Sequence, residues 1–264
     1  MPKLSTRLAD FLWKLWYPFL TRLSTQSAVV FLNYGYAGDP STETPPTLQA
    51  QDEPDRPCIQ LYHRVATAID LRGLDLLEVS CGHGGGASYV SRYLAPKSMR
   101  AIDRNARAIA LCNRRHHVAG LTFSVGNALA LDFPDASFDA VLNVEASHCY
   151  PDVPRFLAEV RRVLRPGGHF LYADFRDLPQ PRAALADHLQ SSGMEIISCE
   201  EITPNVLRGM DLNTEKYLAL IRKLVPKPLQ KPARDFAGVK GSTIYKALES
   251  GQTVYLCYHL RKRP

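Results

Sequence analysis

The chain has 264 residues, of which 45% are hydrophobic and 22% charged, and its formal net charge at pH 7 is +6. This length and composition are typical of a globular protein with a full core and room for one substantial insertion. No run of about eighteen apolar residues is present, which excludes a membrane-spanning helix. Lys14 and Pro18 interrupt the first apolar stretch, so we expect no signal peptide.

The charge is spread unevenly along the chain. Residues 1–26 carry four bases and one acid, and residues 221–264 carry ten bases and two acids, whereas residues 27–220 carry eighteen bases and twenty-three acids. Two interpretations stay open: the ends are solvated basic tails, or they are attracted to an anionic membrane face or an acidic acyl carrier. No dense Arg and Lys patch with interleaved aromatic residues is present, so we expect no nucleic-acid partner.

The cysteines and histidines predict neither disulfides nor a metal site. The six cysteines form no C-x-x-C pair, and the eight histidines are scattered without clustered carboxylates. We therefore expect reduced thiols and a cytoplasmic location, with peripheral contact to a membrane if the basic ends meet lipid.

Near the start of the chain, apolar side chains recur at three- and four-residue spacing, which predicts an amphipathic helix that Pro18 kinks. These side chains are Leu8, Phe11, Leu12, Leu15, Trp16, Phe19 and Leu23. The helix is aromatic and basic, which suits a membrane interface. Packing as a cap over the rest of the chain is the alternative, and the two are compatible if the substrate is a lipid. Residues 38–57 hold five prolines and predict a linker.

Strand-like and helix-like segments then alternate with short links, which is typical of a doubly wound α/β sheet with helices on both faces. The predicted strands cover 74–79, 99–103, 121–125, 138–144, 168–174, 194–199 and 252–260. The predicted helices cover 58–70, 86–95, 105–118, 153–164 and 181–192. Between the last two strands, residues 202–250 are too many for a loop, and helical stretches near 204–224 and 242–249 predict a lid over the substrate site. The predicted units are therefore 1–57, 58–201, 202–250 and 251–264.

The glycine-dense turn after the first predicted strand indicates a nucleoside-containing cofactor. The segment LLEVSCGHGGGA runs from Leu76 to Ala87, and Asp103 ends the next strand. Glycines let the backbone approach a ligand, and the following helix presents free N–H groups. An acid at the tip of the next strand accepts hydrogen bonds from a ribose diol.

Two features favour S-adenosylmethionine (SAM) over NAD, although Gly82 to Ala87 match the G-x-G-x-x-G/A pattern of dinucleotide sites. Glu78 stands four residues before Gly82, at a strand end that dinucleotide sites usually keep apolar. SAM sites commonly carry an acid there, near the ammonium of the cofactor. The segment 156–170 predicts an amphipathic helix stopped by Pro-Gly-Gly, and it resembles the stretch before the fifth strand of class I SAM-dependent methyltransferases.

Asn127 and Ala128 follow the strand that ends at Val125, where an acid commonly meets the adenine amino group. An asparagine accepts that bond through its carbonyl oxygen, without charge. The candidate cofactor-binding residues are Glu78, Ser80, Gly82, Gly84, Asp103, Arg104, Asn127, Ala128 and Asn143.

His148 and Glu145 are the candidate catalytic residues, because both follow the fourth predicted strand. Methyl transfer is an in-line displacement, and a hydroxyl acceptor must also lose a proton. A neutral histidine within hydrogen-bond reach typically contributes about 10²–10⁴ in rate. The alternative for His148 is to cap the next helix or to pack against the cofactor. Glu145 orients His148, contacts the cofactor or acceptor, or pairs with an arginine.

Three stretches, EVSCGHGGGASYVSRYL, NVEASHCYPD and FLAEVRRVLRPGGHFLYADFR, resemble the phthiotriol/phenolphthiotriol dimycocerosate methyltransferase family, whose relatives include fatty-acid O-methyltransferases. WYPFLTR and FLNYGY are similar to that group as well. The resemblance implies the class I SAM-methyltransferase fold and SAM-dependent methylation of a hydroxyl on a lipidic or polyketide-derived acceptor.

The chain departs from the family pattern in three places. Asn127 replaces the acid expected near adenine, Ser80 replaces a first glycine, and residues 202–250 match too loosely to transfer a substrate. A sterol- or isoprenoid-type C-methyltransferase is the nearest alternative, because such proteins carry a stretch similar to 145–152 with the histidine one place later. A non-catalytic SAM-binding module is an alternative of another class.

Overall fold

The computed structural model describes residues 29–178 and 180–264, so the amphipathic helix predicted near the start of the chain lies outside the described residues. The strands are β1 Asp75–Val79, β2 Ser98–Asp103, β3 Leu121–Val125, β4 Phe138–Val144, β5 Leu164–Asp177, β6 Met194–Glu201 and β7 Thr253–Lys262. The helices are α1 Arg56–Ala66, α2 Gly85–Tyr93, α3 Ala106–Arg115, α4 Val153–Val163, α5 Gln180–Ser191, α6 Thr203–Leu224, α7 Gln230–Phe236 and α8 Thr243–Glu249. None of the described helices is long and apolar enough to cross a membrane.

These strands join one sheet in the order β3-β2-β1-β4-β5-β7-β6. Neighbouring strands are parallel except at β7, which runs antiparallel to both β5 and β6. The chain winds outward from β1 to β3 and then crosses back to β4, so the strand order reverses between β1 and β4. Ligands of open α/β sheets bind beyond the carboxyl ends of the strands at such a point. The predicted doubly wound sheet is confirmed.

Helices cover both faces of the sheet, as predicted. Successive side chains of a strand point to opposite faces. Leu76 accordingly joins the core beneath α1, α2 and α6, and Leu77 joins the core beneath α4 and α5. Side-chain caps fix where helices begin: Asn105 accepts backbone N–H groups at the start of α3, and Asp152 does so at the start of α4. Such caps satisfy N–H groups that a helix otherwise leaves unpaired.

The sequence predictions differ from the structure in two local features. Pro-Gly-Gly was predicted to separate a helix from a strand beginning at residue 168, but β5 begins at Leu164, directly after α4. Gly167 has a φ of +76° within an irregular part of the β4–β5 ladder, a conformation that glycine adopts without strain. Helix α7 was not predicted, because its seven residues include Pro232 and are too few to show a helical period. Helices α6 and α8 match the helical stretches predicted between the last two strands.

Residues 29–37, which we call the strap, cross the carboxyl edge of the sheet. At one end the Val29 carbonyl accepts a hydrogen bond from the Arg115 guanidinium of α3 at 2.8 Å. Further along, Leu32 lies over the glycine turn, since a Cβ added to Gly82 would be 3.0 Å from Leu32 Cδ1. The strap therefore covers the place where the sequence predicts a cofactor.

Gly209 of α6 lies against the far end of the strap with no room for a side chain. An added Cβ would be 2.4 Å from the Tyr36 nitrogen and 2.5 Å from the Gly35 carbonyl carbon. Because both are backbone atoms, we expect Gly209→Ala to lower the free energy of unfolding by about 1–3 kcal/mol, although alanine is the better helix former by about 1 kcal/mol. Urea denaturation measures the change, with Ala219→Gly on the exposed face of α6 as the propensity control. A Gly209→Ala variant more stable than wild type would contradict this packing argument.

Candidate active site

Glu78, near the carboxyl end of β1, is a buried acid with one unpartnered oxygen. The residue is 1% exposed, its Oε1 accepts a hydrogen bond from the Tyr62 hydroxyl at 2.7 Å, and its Oε2 has no partner among the described residues. Burial raises the pKa of Glu78 to about 7; the Tyr62 hydrogen bond opposes this rise, and the charge of Asp103 adds to it. No cationic side chain among the described residues contributes to this balance.

The glycine turn is what lets Tyr62 reach Glu78. A Cβ on Gly86 would be 1.9 Å from the Tyr62 ring, so any side chain there would displace the tyrosine. This third glycine of the run is therefore required by packing between α1 and α2.

Asp103, at the end of β2, lies behind the same turn. It is 6% exposed, with Oδ2 accepting the Gly82 N–H at 3.0 Å and Oδ1 accepting the Asn105 N–H at 2.8 Å. Burial raises the pKa of Asp103, against the lowering effect of these two N–H groups. A carboxylate oxygen has a further lone pair, so the geometry leaves Asp103 able to accept from a ligand as well.

Ser80 and Asn143 are joined through the hydroxyl of Tyr150. Ser80 Oγ lies 2.6 Å from that hydroxyl, and Asn143 Nδ2 donates to it at 3.0 Å and to the Val79 carbonyl at 2.9 Å. Ser80 has a φ of +63°, a left-handed conformation that costs a residue with a side chain about 1–3 kcal/mol. That cost explains why a glycine is common at this position. Asn143 is fully buried, and its Oδ1 has no partner among the described residues.

The remaining candidate cofactor residues lie toward the β2–β3 side of the site. Arg104 is exposed beside Asp103, and Ala128 is half-buried. Asn127 is exposed, and the carbonyl oxygen predicted to accept from an adenine amino group already accepts the Leu129 N–H at 3.0 Å. Gly82 and Gly84 have φ values of +55° and +77°, as the tight turn requires.

The buried hydrogen-bond acceptors between β1 and β4, where the strand order reverses, fit SAM better than NAD. Glu78 Oε2 and Asn143 Oδ1 are buried acceptors on the neighbouring strands β1 and β4, and neither has a hydrogen-bond donor within residues 29–178 and 180–264. A buried acid without a cationic partner is stabilised by an ammonium or sulfonium and destabilised by a pyrophosphate. SAM carries the two cationic groups, whereas a dinucleotide brings its anion to the glycine turn.

His148 is oriented by Asp174, at the carboxyl end of the next strand, β5. His148 Nδ1 lies 2.8 Å from Asp174 Oδ1, and the His148 backbone N–H donates to Asp174 Oδ2 at 2.9 Å. Asp174 is fully buried and also pairs with Arg176 at 3.0 Å, whereas the His148 side chain is 29% exposed. The buried partner fixes Nδ1 and leaves Nε2 as the ring nitrogen available to a substrate.

The Asp174 contact controls the charge of His148. Burial alone lowers the pKa of His148, but the charge and hydrogen bond of Asp174 outweigh it and raise the pKa to about 10. Burial raises the pKa of Asp174 in turn, and the charges of His148 and Arg176 more than offset this, so the pKa is held below its usual range. The pair is therefore an imidazolium and a carboxylate at neutral pH in the absence of another charge.

Glu145 does not orient His148, which was one of the roles predicted for it. Its carboxylate accepts the Tyr34 N–H at 3.0 and 3.2 Å and the Tyr255 hydroxyl at 2.8 Å, and no described arginine pairs with it. Burial raises its pKa to about 8, opposed by these two donors. Glu145 therefore joins the strap to β7 beside His148, and its φ of +49° lies in the left-handed region.

Aromatic rings form a wall beside the imidazole of His148. The His148 ring lies 4.3 Å from the ring of Phe175, measured between centroids, and Phe175 lies 5.7 Å from Tyr34 and 6.4 Å from Tyr255. We call Tyr34, Phe175 and Tyr255 the aromatic wall. It places apolar surface against the imidazole ring that Asp174 orients.

The sequence interpretation missed several of these residues. Asp174 ends the strand predicted over 168–174 and lies near the carboxyl end of β5, so the rule that ligands meet the carboxyl ends of strands was the available signal. Tyr34, Tyr62 and Tyr255 reach the site from the strap, α1 and β7, and no local pattern marks them. The six cysteines are free, and the described residues hold no His, Cys, Asp and Glu group suited to a metal ion.

Comparison with known proteins agrees with this geometry. The family model described as a methyltransferase domain matches residues 77–172. The phthiotriol/phenolphthiotriol dimycocerosates methyltransferase of Mycobacterium tuberculosis is 47% identical over 258 residues, covering 98% of this chain and 94% of that protein. The fatty-acid O-methyltransferase of Mycolicibacterium smegmatis is 42% identical over 259 residues, covering 97% and 92%.

Among solved structures, the [4+2]-cyclase SpnF superposes with a TM-score of 0.70 at 20% identity, covering 93% of this chain and 92% of that one. Because that protein is a cyclase, the shared fold alone does not decide the reaction. The two relatives above, which are 47% and 42% identical over nearly the whole chain, do decide the family. The chain belongs to the phthiotriol/phenolphthiotriol dimycocerosates methyltransferase family, and it is a SAM-dependent methyltransferase.

Proposed function

We propose that this protein O-methylates a hydroxyl of a lipidic or polyketide-derived acceptor, with His148 as general base. The observation that carries the proposal is the contact between His148 Nδ1 and the buried Asp174 carboxylate at 2.8 Å. A relative named for fatty-acid O-methylation supports the class of acceptor. The aromatic wall supplies apolar surface beside the base, as a lipid chain requires.

The cofactor is held by residues at the carboxyl ends of β1, β2 and β4 in this proposal. Glu78 meets the ammonium, Asp103 meets the ribose diol, and Asn143 Oδ1 accepts from a donor between them. The other proposed contacts come from the three loops that follow β1, β2 and β3: Ser80, Gly82, Gly84, Arg104, Asn127 and Ala128. When bound, SAM supplies an electrophilic methyl group on a positively charged sulfonium.

His148 takes the proton of the acceptor hydroxyl at Nε2. Asp174 keeps the proton of the neutral ring on Nδ1, so the Nε2 lone pair faces the acceptor. A positive charge beside the ring disfavours the imidazolium and increases the neutral fraction at a given pH. After the transfer, the imidazolium and Asp174 form an ion pair, which stabilises the charge that develops during the step.

A C-methyltransferase is the second candidate, and a specific observation favours it. A carbocation would be stabilised by aromatic faces and acids, and Glu145 lies among the rings of the aromatic wall. The two reactions differ in the product: O-methylation gives a methoxy carbon, and C-methylation gives a methyl bonded to carbon with a displaced or lost double bond. Carbon NMR of a product made with labelled SAM separates them.

The basic and aromatic segment before the strap supports peripheral contact with a membrane surface in this proposal, and the free cysteines support a cytoplasmic location. Residues 202–250 are proposed as the acceptor lid, because Gly238 and α6 pack against Tyr34 of the aromatic wall.

Removing the Tyr62 hydroxyl tests the role of Glu78 toward the cofactor. Tyr62→Phe removes the hydrogen bond that favours the ionised form, so the pKa of Glu78 rises further above its ordinary value. Since the ionised form binds the ammonium, we expect the affinity for S-adenosylhomocysteine to fall at neutral pH and to recover about one to two pH units higher than in wild type. Calorimetric titration across pH measures this shift.

Tyr89→Phe is the matched control, because the Tyr89 hydroxyl is 2.7 Å from His63 Nδ1 on the same face of the sheet and does not contact Glu78. Identical pH profiles for Tyr62→Phe and wild type would remove the Tyr62–Glu78 bond from cofactor binding.

Substitutions at His148 and Asp174 test the general base. We expect His148→Ala to lower kcat by about 10²–10⁴ with little change in S-adenosylhomocysteine affinity. Wild-type kcat should rise with pH, because only neutral His148 accepts a proton. Asp174→Asn removes the charge that raises the pKa of His148, so the rise should move to lower pH while the limiting rate falls. Unchanged activity of His148→Ala, or an unmoved profile in Asp174→Asn, would end this assignment.

Deleting residues 1–26 tests the membrane contact. We expect methylation of a lipid presented in vesicles to fall several-fold more than methylation of a short-chain alcohol in solution, since only the former needs the interface. Labelled methyl transfer to both acceptors gives the two ratios. Equal losses would show that the segment acts as a structural cap.

A further inference from the structure

The segment 222–234, which we call the lid tip, carries five bases and no acid. It runs from the end of α6 through the start of α7, and its bases are Arg222, Lys223, Lys227, Lys231 and Arg234. All five are exposed. The nearest acids along the chain are Glu215, which is exposed on α6, and Asp235, whose carboxylate accepts from Thr243.

Two other lysines of the insertion, unlike the bases of the lid tip, have ion-pair partners among the described residues. Lys216 pairs with Asp55, and Lys240 pairs with Asp211 at 3.1 Å. Within the described part of the chain, no ion pair involves any base of the lid tip. Like charges held close together without counterions repel one another, so the lid tip is a surface suited to an anionic partner.

Apolar residues interleave with these bases. Leu224, Val225 and Leu229 are half-buried, and the exposed prolines Pro226 and Pro228 stand between them. Cations that alternate with partly exposed apolar side chains are typical of a segment that rests in a lipid headgroup region, which favours a lipid surface as the anionic partner.

The other part of the insertion reaches the active site. Asn213 Nδ2 donates to the Tyr34 carbonyl at 3.3 Å, and a Cβ on Gly238 would lie 2.6 Å from the Tyr34 ring. The insertion thus connects the aromatic wall beside His148 to the lid tip. A membrane that held the lid tip would therefore hold an element that packs directly against the aromatic wall.

We propose that the lid tip docks on an anionic lipid surface and so brings the active site to a membrane-held acceptor. The inference rests on the proposed function in that the acceptor is a lipid. A base near an anionic membrane surface contributes about a fivefold increase in binding, so reversing three of them should weaken binding by about a hundredfold or more.

The test is sedimentation of the full chain with vesicles of phosphatidylcholine and phosphatidylglycerol, compared with vesicles of phosphatidylcholine alone. The variant is Lys223→Glu, Lys227→Glu and Lys231→Glu together. The matched control is Arg107→Glu, Arg114→Glu and Arg263→Glu together, which makes the same change in net charge at exposed bases outside the insertion. We expect wild type and control to bind the anionic vesicles in a salt-sensitive way and the lid-tip variant to lose binding.

Equal binding by the lid-tip variant and wild type would overturn the proposal, and so would equal losses in variant and control, which would mean that net charge alone matters. If the lid-tip variant still bound vesicles but no longer bound a purified acidic carrier protein that wild type binds, the surface would be assigned to a protein partner instead. Methylation of a short-chain alcohol in solution by the wild-type protein tests the proposed function separately, because it requires no membrane. S-adenosylhomocysteine titration verifies that each variant is folded.

Discussion

The buried carboxylate of Glu78 is the constraint around which the cofactor side of the site is arranged. Among the described residues it has no cationic partner, one of its oxygens accepts the Tyr62 hydroxyl, and the other has no side-chain partner; the Ala87 backbone N–H only weakly opposes the rise in its pKa. Such a group costs folding free energy until a cation arrives. The glycine at position 86 is required so that the Tyr62 ring fits beside it. The unpaired acid thus lowers the stability of the empty site and makes the site prefer a cationic ligand.

The same logic separates the two halves of the site. On the cofactor side, burial raises the pKa of both Glu78 and Asp103, and only Asp103 has a base, the exposed Arg104, that acts against this rise. On the acceptor side, Asp174 has both His148 and Arg176 as partners, so its pKa is lowered and it stays charged. The first arrangement attracts a cation, and the second holds an imidazole in one orientation. The strap touches both, since Leu32 lies on the glycine turn and Tyr34 bonds Glu145.

Sequence reasoning recovered what is encoded locally. The order of strands and helices follows from hydrophobic period and turn residues, and Glu78, Asp103 and the glycines follow from one strand, one turn and the next strand. Tyr62, Tyr34 and Asp174 were not predicted. Their hydrogen bonds, to Glu78, Glu145 and His148, join residues that are 16, 111 and 26 positions apart in the chain. Glu145 was assigned as the partner of His148 among other roles for the same reason: it is close in sequence, whereas Asp174 is close in space on the neighbouring strand.

Glu145 bears most directly on the choice between O- and C-methylation. As an ionised acid, it would favour a cation in front of the aromatic wall; as a neutral acid, it would favour an uncharged alkyl chain there. Burial raises the pKa of Glu145, and the hydrogen bonds from Tyr34 and Tyr255 only partly oppose this rise. The neutral form is therefore substantial near pH 7. A neutral Glu145 beside an Asp174-oriented histidine suits proton removal from an alcohol more than stabilisation of a carbocation. A neutral Glu145 thus supports the hydroxyl acceptor of the proposed function, in which only the neutral form of His148 takes the proton.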